Sequence, residues 1–228
     1  MPITTTTAIG MIDAALLRLL AWLSPAFPTG GFAWSQGVEF AVETGDIADE
    51  ASLRTWLEDV LRYGAGRADA IVLRHAHAAQ DDAAALSEIA QFARALQPAR
   101  ERLAETLGQG NAFVLAAVPW GAANISGFSD LPYPVAVGAL AGAHGIGADA
   151  ACAGFLQSVT ANMIAAAVRL VPLGQTVGLR VLAALEAAFL AVADETRGAA
   201  LDDAGGACWR ADLAAMRHET QYTRLFRS

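Results

Sequence analysis

Read for the spacing of its apolar and polar positions, the chain is helical almost from end to end. Leu53, Trp56, Leu57, Val60 and Leu61 recur at i, i+3, i+4, i+7 and i+8, with Glu58, Asp59 and Arg62 on the opposite side. That is the stripe of an amphipathic helix with one face on a core. The same period predicts helices over about residues 13–23, 32–44, 69–80, 83–96, 99–107, 111–120, 133–144, 148–170, 176–193 and 207–217. No stretch shows the period-two alternation of a half-buried strand. Prolines fall where these elements stop or start: Pro25 and Pro28 after the first, Pro98 ahead of another, Pro119, Pro132 and Pro134 in a long connection, and Pro172 behind Leu170. Proline is tolerated at such boundaries and costly inside a helix. With no internal repeat and no polar linker, the expected fold is all-α, a single-domain helical bundle of about ten helices without significant sheet. It would cover residues 13–217, after a disordered lead-in at 1–12 and before a tail at 218–228.

Composition fits a well-packed body: 228 residues, 55% apolar and 17% charged, enough to bury a large core without disulfide or metal. Cys152 lies in an Ala-rich apolar stretch and Cys208 far away beside Trp209, which reads as two buried thiols in a reducing compartment. Residues 1–10 lack a positive n-region, so a secretory signal is not expected and the cytoplasm is. The apolar run 177–193 is interrupted by Arg180 and Glu186, favouring a buried helix over a membrane span.

A net charge of −8 argues against nucleic-acid binding. All fifteen cations are Arg, and four fall in the last nineteen residues, giving an acidic body a basic end. The absence of Lys excludes a P-loop and Schiff-base chemistry. Other catalytic patterns fail residue by residue. Ala33-Trp34-Ser35-Gln36-Gly37 imitates a nucleophile elbow but follows a Pro/Gly turn instead of a strand. Asp81-Asp82 and Asp202-Asp203 lack a third acid and read as helix caps. His75 and His77 point apart on a helix, and His144 reads as a core histidine. No tightly bound cofactor or metal is expected.

Two segments resist a purely structural reading. The loop containing Pro25, Phe27, Pro28, Gly30, Gly31 and Phe32 is stiff and aromatic, and the helix after it carries Glu39 and Glu43 one turn apart. The tail His218, Glu219, Thr220, Gln221, Tyr222, Thr223, Arg224, Leu225, Phe226, Arg227 and Ser228 is rich in the aromatic and Arg residues of binding hot spots. Either it awaits a partner or Leu225 and Phe226 dock on the protein's own core.

In these segments the sequence resembles the urease accessory protein family UreF. The resemblance runs through residues 24–39, 100–110, 131–132, 166–175 and 218–228. Gln36 stands where many family members carry His, and Leu179 where Gln is frequent. The resemblance implies a non-catalytic, homodimeric helical scaffold. It would join UreD (also called UreH) to the GTPase UreG, modulate that GTPase, and support nickel insertion into apo-urease, with nickel at most in transit. It also implies that His218, Glu219, Tyr222, Arg224, Leu225, Phe226, Arg227 and Ser228 meet the UreD-type partner. Arg169, Gln175, Glu39 and Glu43 are the candidates for the GTPase, on another face. From residue 220 the tail should be mobile or loosely docked when free, Arg169 should pair with a buried carboxylate or reach outward, and the small residues 138–142 are candidates for a dimer seam. The competing classes are a helical metal-dependent enzyme and a membrane-associated helical protein.

Overall fold

Alternating small and large apolar residues set the centre of the molecule, which a computed structural model describes over residues 14–228. The lead-in expected at 1–12 lies outside those residues. The described chain has eleven α-helices: α1 Ala14–Trp22, α2 Val38–Glu43, α3 Glu50–Tyr63, α4 Ala65–Ala78, α5 Ala83–Ala95, α6 Arg100–Ala116, α7 Tyr133–Ala143, α8 Ala148–Leu170, α9 Gly174–Ala184, α10 Glu186–Glu195 and α11 Trp209–His218. Three short 3-10 turns, Gly31–Ala33, Val118–Trp120 and Leu201–Asp203, complete it, and no strand occurs among the described residues. The all-α, single-domain expectation holds.

The most extensive helix pair is α4 with α7. Every residue of α7 from Tyr133 to Gly142 is buried. A Cβ at Gly138 would stand 2.2 Å from the Leu73 carbonyl oxygen, and one at Gly142 would stand 2.5 Å from that of His77. The small residues 138–142 thus let α7 lie against α4 inside one subunit and are not a surface seam. The stripe Leu53, Trp56, Leu57, Val60 and Leu61 faces the core as expected, and its helix starts at a capping box in which Asp49 and Ser52 satisfy each other's main-chain N–H groups at 2.8 and 3.0 Å.

Three boundaries differ from expectation. Residues 99–107 and 111–120 are not separate helices, because α6 runs unbroken from Arg100 to Ala116. Its Gly110 marks a close approach, with a Cβ there falling 1.8 Å from the Leu131 oxygen. The stretch 32–44 opens on a 3-10 turn and does not become α-helical until Val38, since Gln36 (φ 58°) and Gly37 (φ 81°) take the left-handed conformation. The run 176–193 breaks at Leu185, between α9 and α10, where no Gly or Pro signals a break.

By length and composition, α8 and the α9–α10 stretch would suit a membrane. In the fold, α8 packs against α2, α4, α7, α9 and α10, and Arg180 of α9 holds Glu50 at 2.6 Å. Of the acidic pairs, Asp82 caps α5, accepting the N–H groups of Ala84 and Ala85 at 3.0 Å, and Asp203, at the end of the third 3-10 turn, accepts that of Ala200 at 3.0 Å. His75 and His77 each bond a main-chain oxygen, and His144 meets Arg18.

Candidate functional site: a polar clasp around the chain end

Left-handed turns at Gln36 and Gly37 bring the start of α2 directly under α11. A Cβ at Gly37 would lie 2.8 Å from the Ala215 nitrogen, so only glycine admits this crossing. Nearby, a Cβ on Gly31 would approach the Asn162 amide to 2.7 Å, seating the loop on α8. Phe27 anchors the other end of the loop against Phe113 and Trp120, with ring centroids 5.4 and 5.9 Å away. Pro25 and Pro28 are exposed. The aromatic loop is therefore a fixed platform.

Onto this platform the tail folds back. Glu39, buried on α2, receives the main-chain N–H of Leu225 at 2.6 Å and of Phe226 at 2.9 Å. His218, fully buried at the end of α11, sets one ring nitrogen 3.1 Å from Glu39 and the other 2.7 Å from Glu101 of α6. Arg224 meets the second Glu101 oxygen at 2.7 Å, and Glu219 accepts the Arg100 N–H at 2.8 Å. Ser35 N donates to the Ser228 main-chain oxygen at 2.8 Å, the Ser35 hydroxyl bonds the same oxygen, and Arg227 N donates to the Ala33 carbonyl at 2.9 Å. The Ser228 hydroxyl donates to Glu105 at 3.2 Å, and Gln36 N to that hydroxyl at 3.2 Å. The bonds of Glu39 to His218 and Phe226 are shielded from water, the setting in which charge-assisted bonds are strongest and their loss most costly, while those of Arg224 and Glu219 lie at the exposed rim.

The structure overturns the expectation of a mobile or loosely docked tail. Phe226 and Ser228 are buried, and Arg169 stacks 4.5 Å above the Phe226 ring while donating to the Phe32 oxygen at 3.4 Å. Arg169 therefore finds no buried carboxylate; it is exposed and rivets α8, the loop and the tail together. Arg227 covers Trp34 at 5.0 Å. The large apolar tail residues left outward are Tyr222, fully exposed, and Leu225, 58% exposed, and Phe32 of the loop is 76% exposed. Glu39 is consumed inside the clasp, whereas Glu43 and Gln175 are exposed away from it. Arg169 and the tail, read from the sequence as facing different partners, are neighbours.

Beneath the clasp lies a polar layer. Arg102 and Glu105 form a buried ion pair, and Glu105 also accepts from Gln36 at 2.9 Å and from Gln109 at 2.8 Å. Asp69 of α4 lines the same small hollow. Burial pushes its carboxyl up to about 7, against the pull of Arg102 and with a further push from Glu105. Asp69 also borders an outer hollow of about 110 Å³ with Asp212, whose carboxyl burial likewise raises. The signal for this layer was Arg102, Glu105 and Gln109 at i, i+3 and i+7 of one helix, a polar stripe where a core stripe belongs. Among the described residues, no group of three or more His, Cys, Asp or Glu is placed to hold a metal ion. What the cluster does hold is the segment 218–228.

The model of the UreF family matches residues 47–186. A urease accessory protein UreF from Bradyrhizobium sp. (strain ORS 278) is 53% identical over 222 residues, covering 94% of this chain and 92% of that protein. The UreF proteins of Bradyrhizobium sp. (strain BTAi1 / ATCC BAA-1182) and Rhodopseudomonas palustris (strain TIE-1) are 52% and 51% identical over 224 residues, with 94% and 95% of this chain covered and 92% and 93% of theirs.

Proposed function

The chain belongs to the UreF family of urease accessory proteins, and from that premise we propose that it is a cytoplasmic, homodimeric scaffold bridging a UreD (UreH)-type partner and the GTPase UreG during nickel insertion into apo-urease. The observation that carries the proposal is the clasp: a buried polar network spends its strongest bonds on holding Tyr222, Leu225, Phe32 and Arg169 at the surface in fixed positions. A preorganised aromatic and Arg surface gives up little entropy on binding.

In this reading the UreD-type partner takes Tyr222 and Leu225, while the GTPase takes Arg169 at the edge of the clasp and Gln175 beyond it, so the two footprints adjoin at Arg169 and GTPase activity is modulated from that edge. The outward Leu16, Leu17 and Leu20 of α1 offer apolar area for a second copy. Nickel is cargo that passes without a resident site. The hollows bordered by Asp69, Glu105 and Asp212 supply carboxylates for such passage.

Binding assays on surface variants test this without disturbing the clasp. Tyr222→Ala with Leu225→Ala is expected to keep the helical signal and the melting temperature, to weaken capture of the UreD-type partner at least about tenfold, equivalent to about 1.4 kcal/mol, and to abolish urease activation. Arg169→Ala is expected to lower GTPase recruitment in the reconstituted complex. Unaltered capture and activation by both folded variants would refute the scaffold surface.

A further inference from the structure

Away from the clasp, at the other end of α11, a cleft of about 600 Å³ opens between α3 and the segment entering α11. Trp56, Tyr63 and Trp209 line it with Asp46, Asp59, Cys208 and Arg210 among others. Trp56 forms a buried wall, whereas Tyr63 is 59% and Trp209 70% exposed. The cleft is preformed. Ala207 N donates to the Tyr63 carbonyl at 2.7 Å, and Gly64 leaves room for Cys208, whose Cβ would otherwise meet a Gly64 side chain at 2.9 Å.

The cleft already displays how it holds a cation. The Arg210 guanidinium lies 5.7 Å over the Trp56 ring and pairs with Asp46 at 2.5 Å, a cation on an aromatic face with a carboxylate to neutralise it. The same parts recur unfilled beside it. Asp59 is exposed and forms no ion pair or hydrogen bond among the described residues, while the Tyr63 and Trp209 rings are open to solvent. Two acids against one Arg leave the lining net negative. A small molecule enclosed by the cleft would cover its walls, but rings this exposed suit a chain lying across them.

We propose that this cleft is a docking site for a basic segment of a partner protein, an extended stretch in which Arg or Lys is flanked by apolar residues. The cation lies between the Trp209 and Tyr63 rings and pairs with Asp59, repeating the arrangement of Arg210, Trp56 and Asp46. This surface is separate from the tail and needs neither Tyr222 nor Arg169.

To test it, the full chain is titrated with acetyl-Leu-Arg-Leu-amide while the indole N–H resonances of Trp56 and Trp209 are followed by NMR. A saturable shift of both is expected, with the dissociation constant rising at least about fivefold in Asp59→Asn and in Trp209→Ala and rising with added salt. Both substitutions are at exposed positions, and circular dichroism verifies that the variants fold. No saturable shift, an unchanged constant in Asp59→Asn, or equal binding of acetyl-Leu-Glu-Leu-amide would each overturn the proposal. So would concentration-dependent broadening of the Trp209 signal without peptide, together with loss of dimer in Trp209→Ala, since a second copy would then be the occupant.

Discussion

Along the α4–α7 seam, the main chain of α4 lies against Gly138 and Gly142 within a wholly apolar α7, and no ion pair takes part among the described residues; in the clasp and the layer beneath it, Glu39, Glu105, Arg102 and His218 are buried as well, with Glu101 partly so, and they are held by polar contacts. The seam gains from area removed from water and is intolerant of added volume. The clasp offsets a large desolvation cost with matched hydrogen bonds and is intolerant of a lost partner. One region resists change in size, the other change in charge.

The largest effect should come from size at the seam. Gly138→Leu places a side chain where even a Cβ would sit 2.2 Å from a main-chain oxygen, so a loss of at least about 3 kcal/mol or outright failure to fold is expected by denaturant titration. A variant that melted like the parent would show the two helices to be free to separate. Next comes charge in the clasp. Glu39→Gln retains the shape but replaces the carboxylate that serves Leu225, Phe226 and His218, and should cost about 2–3 kcal/mol. Hydrogen exchange at Leu225 and Phe226 should accelerate, while the amides of α7 stay protected relative to the new global stability. Equal protection at Leu225 and Phe226 in parent and variant would dissolve the distinction between the regions.

The smallest effect has the opposite sign. Because burial holds the Asp69 carboxyl at about 7 instead of 3.8, the folded chain retains a proton that the unfolded chain has released between those values. The folded state therefore binds more protons in that window, and stability falls as pH rises through it. Asp69→Asn should flatten this decline and stabilise the protein by about 1–2 kcal/mol at neutral pH, with little change below pH 4. A parallel pH–stability curve for parent and variant would show Asp69 to be solvated.

The seam was legible because its signal is local: apolar spacing and small residues stand within one turn of each other in the sequence. Residues 138–142 announced close packing, although not which surface they would meet. The clasp was legible only at its two ends, where an aromatic loop and an aromatic, Arg-rich tail looked unlike ordinary connections. That the two meet was not legible, since Glu39 and Phe226 are 187 residues apart and no periodicity relates them. The middle layer was hidden for a different reason. Arg102, Glu105 and Gln109 share one helix face, yet a buried ion pair and an exposed one look alike until the surrounding chain is in place. The break at Leu185 left no mark, as neither Gly nor Pro makes it. Gly110 gave the opposite error, a residue that suggests a break but serves a close contact.

The separation of Ser35 from Ser228, 193 residues along the chain, also bears on the order of assembly. Closing a loop of that length costs on the order of 5 kcal/mol of chain entropy, a sum recovered only when the whole network forms. During synthesis at about 5–20 residues per second, the segment carrying Ser35 and Glu39 waits on the order of 10–40 s for its partners. A nascent or clipped chain that ends before His218 can complete its apolar helices but leaves Glu39 and Glu101 without the His218, Arg224 and main-chain donors they hold in the finished fold. Until residues 218–228 are made and docked, the surface bearing Tyr222, Leu225 and Arg169 is not assembled, so it distinguishes the finished fold from partly made or clipped molecules.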